Sequence, residues 1–141
     1  MNVITMDKII HDWGIYFRAK IDNDSDFIHG ILAPNKDNPN VMTISTDGHT
    51  YVPINSATIC RCTGIRDENG NLIFANDIVS FKYKDTDVMS YWIVHYSENY
   101  HMWKLRNINN TNESMPLHEI PEYFKVVGNI WDNPEMLLKK G

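Results

Sequence analysis

Several stretches of this sequence put polar and charged side chains close enough together to do chemistry. In R-D-E-N-G-N-L-I-F-A-N-D-I-V-S-F, Arg66 to Phe81, the residues Asp67, Asn69, Asn76 and Asp77 surround two tight turns. In D-N-D-S-D, Asp22, Asp24 and Asp26 are spaced like the first ligands of a calcium loop. Grouped carboxylates of this kind hold divalent cations or serve as acid and base. A calcium loop also needs Gly at its sixth position and Glu at its twelfth. Those positions are Phe27 and Ala33 here, so a solvated turn is expected instead. Asp67, Asn69 and Asp77 each have a turn reason to be where they are, because Asx side chains accept hydrogen bonds from amides two or three residues on.

The remaining reactive groups are sparse. Cys60 and Cys62 form C-R-C, and on a strand their side chains point the same way. A disulfide between them is strained, and a zinc site lacks a second pair. Free thiols in a reducing compartment are the expectation. His95 and His101 bracket S-E-N-Y, giving with Glu98 only a partial ligand set. The sequence has no G-x-S-x-G elbow, no phosphate loop and no dinucleotide fingerprint. Neither catalytic residues, a metal nor a cofactor is expected, and the chain is read as a non-enzyme.

Binding chemistry is better represented. Tyr91, Trp92, Tyr96, Tyr100 and Trp103 cluster between Lys82, Lys84, Lys104 and Arg106. Aromatics beside cations stack bases, fill a core or contact a peptide, and all three readings stand at this point. The net charge of −5 disfavours broad nucleic-acid binding, which needs a positive surface to displace counterions. The expected binding set is Lys82, Lys84, Trp103, Lys104 and Arg106.

These residues need strands to hold them. Ile15, Phe17, Ala19 and Ile21 alternate with Tyr16, Arg18 and Lys20, the period of a half-buried strand over 14–21. Residues 27–32 are its expected partner. Asp47-Gly48 marks a hairpin within 41–54, with Pro53 at an edge. Residues 55–65 read as a short bridging segment. Further strands are expected at 72–74, 78–83, 89–96, 102–108 and 124–131. An Asn-rich loop is expected at 107–114, and a short helix after Asn133-Pro134. No run of about 18 apolar residues spans a membrane, and the first residues lack a basic-then-apolar leader. The hydrophobic share of 43% is ample for a core.

C-T-G-I-R-D-E-N-G-N-L-I-F-A-N-D-I-V, Cys62 to Val79, resembles the T-G-L-x-D-x-N-G-K-x-I-Y-E-G-D-I-V signature of YopX-type phage proteins. V-V-G-N-I-W-D-N-P-E-M-L, Val126 to Leu137, is similar to that family's V-I-G-N-I-Y-E-N-P-E-L-L. F-R-A-K and I-H-G-I-L resemble its opening strands. Ala75-Asn76 replaces the family's Glu-Gly, and Asn tolerates a left-handed turn. The resemblance implies a phage or prophage origin and brings no catalytic residues. The motif residues Gly64, Asp67, Gly70, Asp77, Gly128, Asn129, Asn133 and Pro134 are read as structural.

The resulting expectation is a mainly β chain with an N-terminal β portion over 1–61. A C-terminal SH3-like small barrel with a short terminal helix follows over 62–141. Its function is read as a cytoplasmic binding or assembly module with a host or phage protein partner, with homo-oligomers included. The alternative is a nucleic-acid accessory protein of phage replication or regulation. No membrane association is expected.

Overall fold

The computed structural model describes residues 16–22, 24–82 and 85–138. The chain is mainly β, 51% strand against 6% helix, and forms two antiparallel sheets. It divides into two compact units, Met1–Gly64 and Ile65–Gly141.

The first unit holds β1 (Phe17–Lys20), β2 (Ile28–Pro34), β3 (Met42–Ser45), β4 (Val52–Pro53) and most of β5 (Asn55–Arg66), in the order β4-β3-β2-β1-β5. Ala19, Ile44 and Ile54 make its core, with Ile28, Leu32, Met42, Val52 and Ile59 packed around them. Pro53 sits on the edge strand, as a residue without an amide donor requires. The β3–β4 turn is ordered by Asp47, whose Oδ1 accepts the amides of His49 and Thr50 and the Ser45 hydroxyl. These donors hold its carboxyl far below the usual range. Gly30 has no room for a side chain, because the carbonyl of Ser45 occupies the space a Cβ would take.

Two expectations fail in this unit. Residues 55–65 are part of the longest strand, not a bridge. The alternation of β1 also breaks at its end, where Lys20 is 1% exposed and Ile21 is 51% exposed. β1 lies between β2 and β5, and the register with β5 shifts between Arg18 and Lys20. Arg18 and Lys20 lay their cations over the Phe27 ring, 4.2 and 4.9 Å from its centroid. Long stems that cover an aromatic ring bury well despite their charge.

β5 runs past Gly64, turns at Asp67–Gly70 and enters β6 (Leu72–Phe74). β7 (Asp77–Lys82), β8 (Met89–Ser97), β9 (Met102–Asn107), β10 (Ser114–Pro116) and β11 (Lys125–Asn129) form a sheet in the order β10-β9-β8-β7-β11. A closing pair between β10 and β11 is not among the pairings of the described residues. Val79, Phe81, Trp92, Val94 and Leu105 point to one face and build the core with Ile73, Leu117 and Phe124.

β10 was not expected; it begins at Ser114, the last residue of the expected Asn-rich loop. β11 ends two residues early because the Asn129 side chain accepts the amides of Trp131 and Asp132 and curls the chain. The terminal segment Pro134–Leu138 is a 3-10 helix, whose i→i+3 bonds suit so short a run.

Candidate binding surface

The two sequence motifs meet in the second unit. Asp67 is 6% exposed. Its Oδ1 accepts the amides of Asn69 and Asn71 at 3.0 and 2.9 Å. Its Oδ2 accepts the amide of Val126 at 2.9 Å, across 59 residues of chain. Burial pushes this carboxyl up, but the amides of Val126, Asn71 and Asn69 outweigh it and hold it below the ordinary carboxylate range. Gly70 closes the turn with φ +84°, a conformation a side chain would strain.

The next corner works the same way. Asn76 takes φ +70°, the left-handed role expected of it. The Asp77 carboxylate accepts the Phe74 amide at 2.8 Å. The Asn76 amide donates to the Val94 carbonyl, and its own carbonyl accepts the Ile130 amide. Asn133 does not cap the terminal turn with its side chain. Its Oδ1 instead accepts the Asn129 amide at 3.1 Å, and a Cβ on Gly128 would lie 2.4 Å from that oxygen. Pro134 opens the 3-10 turn, and Gly64 takes φ +81° within β5.

The expected binding residues do not gather at one point. Lys104 and Arg106 alternate with Trp103 and Leu105 on β9, so the cations and Trp103 face opposite sides of the sheet. Trp103 packs on the core and meets Tyr96 edge-on at 5.4 Å. Lys104 sits over the Tyr100 ring, 4.6 Å from its centroid. Lys82, on β7, pairs with Asp87 at 3.4 Å. Lys84 lies outside the described residues. Trp92 is core, stacked 5.6 Å from Phe81 with its indole N–H donating to Ser90.

His95 stands opposite Lys104 on β8. Burial lowers its pKa, and the charges of Arg106 and Lys104 lower it further. His101 takes a turn with φ +52°. Among the described residues, no group of three or more His, Cys, Asp or Glu side chains is placed to hold a metal. Cys60 and Cys62 are buried and are not joined in a disulfide. No described helix is long and apolar enough to cross a membrane.

Two clefts of this unit involve only Lys82 of the expected binding set, with Trp92 of the aromatic series; their other lining residues, Met89, Glu119 and Tyr123 among them, lay outside the sequence reading of binding. A cleft of about 420 Å³ is lined by Phe81, Lys82, Met89, Tyr123, Lys125 and Glu68. A second, of about 460 Å³, shares Phe81 and Tyr123 and is lined by Trp92, Asp85, Glu113 and Glu119 among others. Tyr123 is 55% exposed, Met89 43% and the neighbouring Val88 67%. Lys125 pairs with Glu68 at 3.2 Å. Tyr123 lies in E-Y-F between two prospective elements, and nothing local in that tripeptide marks a groove wall.

The crystal structure of protein EF1440 from Enterococcus faecalis resembles this chain with a TM-score of 0.50. That likeness covers 87% of this chain and 98% of the other at 24% identity, and it shows the fold alone. No curated protein matches the sequence. The family model described as YopX protein matches residues 16–138, which include both clamped motifs and most of each unit, and the chain belongs to that family.

Proposed function

We propose that this chain is a phage- or prophage-encoded binding or assembly module of the host cytoplasm, without enzymatic activity of its own. Its second unit, read as an SH3-like small barrel, presents the recognition surface. The observation that carries this reading is the exposure of Val88, Met89 and Tyr123 around two adjoining clefts. Large apolar side chains grouped at a concave surface mark contact sites more often than isolated ones do. The partner is a host or phage protein, and a second copy of the chain is included in that class.

The test is a tagged pull-down from host lysate, with and without nuclease, run beside a Met89→Ser, Tyr123→Ser double variant. A defined protein that survives nuclease and is lost with the variant supports the reading. Capture indifferent to the variant, together with a monomeric native mass, overturns it.

A second reading rests on Lys104 and Arg106, adjacent on one sheet face beside Tyr100. It makes the chain a nucleic-acid accessory protein. Binding would then weaken steeply with salt, and absence of binding at low salt ends that reading.

A further inference from the structure

The two clefts around Tyr123 differ in charge. The first is bordered by Lys82 and Lys125, and each of these lysines has a carboxylate partner, Asp87 and Glu68. The second has Asp85, Glu113 and Glu119 at its border and no lysine or arginine among its described lining residues. Its walls include the exposed Tyr123 ring together with Met115 and Pro121, over the buried Trp92. Asp85 and Glu119 are exposed at its rim.

A slot of mixed polar and aromatic lining, bordered by carboxylates, is complementary to a group that is flat, weakly hydrated and positive. Arginine fits this better than lysine. Its guanidinium stacks on an aromatic face and pairs with a carboxylate in the same pose, whereas an ammonium is a compact, strongly hydrated charge. A cleft of this volume takes one long side chain and a few residues of backbone, not a folded domain. The adjoining cleft continues past Tyr123 over Phe81 and Met89, giving room for apolar neighbours of that arginine.

We infer that the groove divided by Tyr123 binds an extended segment of a partner protein, with an arginine side chain in the slot bordered by Asp85 and Glu119. Apolar residues of the same segment lie against Met89 and Phe81. This inference rests on the binding-module reading and specifies its partner.

The experiment is selection of a random linear peptide library on the full chain, repeated on two variants. Asp85→Asn, Glu119→Gln removes the rim charge. Asparagine tolerates the left-handed backbone of position 85, where φ is +45°. Tyr123→Ser removes the wall. The expected result is enrichment of peptides with an arginine beside apolar residues. A chosen peptide should bind the charge variant roughly tenfold more weakly, as two exposed charge pairs allow, and raised salt should weaken it similarly. It should be lost with Tyr123→Ser. Enrichment that depends on Tyr123 but ignores both arginine and the charge variant overturns the arginine slot and leaves the binding module standing. Enrichment indifferent to Tyr123, or none, overturns both.

Discussion

Replacing Asp67 tests whether the clamp between the motifs supports the second unit. Asp67→Ala removes the acceptor of three backbone amides, those of Asn69, Asn71 and Val126. Hydrogen bonds to a charged group contribute about 1.5–3 kcal/mol each. Water replaces part of the two local ones at the partly buried turn, so a total near ~3 kcal/mol is expected. Asp67→Asn separates turn from clamp. Its Oδ1 still accepts the turn amides, but its Nδ2 would confront the Val126 N–H, and a cost of about 2 kcal/mol follows. Urea unfolding followed by tryptophan fluorescence reads both, and for a slope of about 1–3 kcal/mol per molar the midpoint falls by roughly 0.7–3 M. The sign with pH is fixed by the lowered carboxyl. The stabilisation is complete above the unfolded value near ~3.9 and is lost as pH falls through the lower folded value. Parent and Asp67→Asn should therefore converge in acid. An Asp67→Asn protein within about 0.5 kcal/mol of the parent at neutral pH would refute the clamp and leave Asp67 as a turn residue only.

Asp77→Ala leaves the buried Phe74 amide without its carboxylate and should cost about 2 kcal/mol. Partner capture measured well below the melting temperature should be unchanged; loss of capture at parental stability would assign Asp77 to a binding site. Gly128→Ala should destabilise by about 1–2 kcal/mol, because its Cβ would press on the Asn133 amide. In an Asn133→Ala background the added cost should shrink, and a double-mutant cycle showing strict additivity would deny the contact. His29 has its pKa lowered by burial and by the Arg18 charge. Its contribution to stability is therefore present above about pH 6.5 and lost as pH falls through the folded value. His29→Gln should flatten that slope in thermal melts over pH 5–7, and an unaltered slope excludes this source. Cys60 and Cys62 should react with a thiol reagent at the rate of unfolding, not of diffusion, since both are buried; immediate modification of the native chain would contradict that burial.

The turns were legible because their residues carry the conformation themselves. Gly70 and Asn76 take positive φ, and Asp67 and Asp77 accept nearby amides, so the short sequence names the corner. What failed depended on distant chain. Lys20 and Ile21 exchange their expected environments because β2 and β5 flank β1 and Phe27 covers its cations, and the period of β1 contains neither fact. β5 was hidden by its polar composition and by Gly64, which takes a positive φ inside a strand that continues beyond it. Trp103 and the cations of β9 share a short segment, yet pleating alone sends them to opposite faces, so proximity in sequence mimicked a site.

The division between motif and groove follows from the same physics. The residues that carry the YopX signature are consumed in hydrogen bonds to backbone: Asp67 to Val126, Asp77 to Phe74, Asn133 to Asn129. A carboxylate saturated with amide donors has little capacity left for a ligand. On the proposed reading, recognition falls to side chains outside both motifs, Asp85, Met89, Glu119 and Tyr123, which line the clefts and clamp no backbone amide among the described residues. A frame held by backbone bonds tolerates exchange of those lining residues without loss of the sheet. Members of one family can then share both motifs and still bind different partners. Exchanging the four lining residues between two members, with the motifs kept, should move partner choice with the lining; partner choice that stays with the motifs would overturn this division.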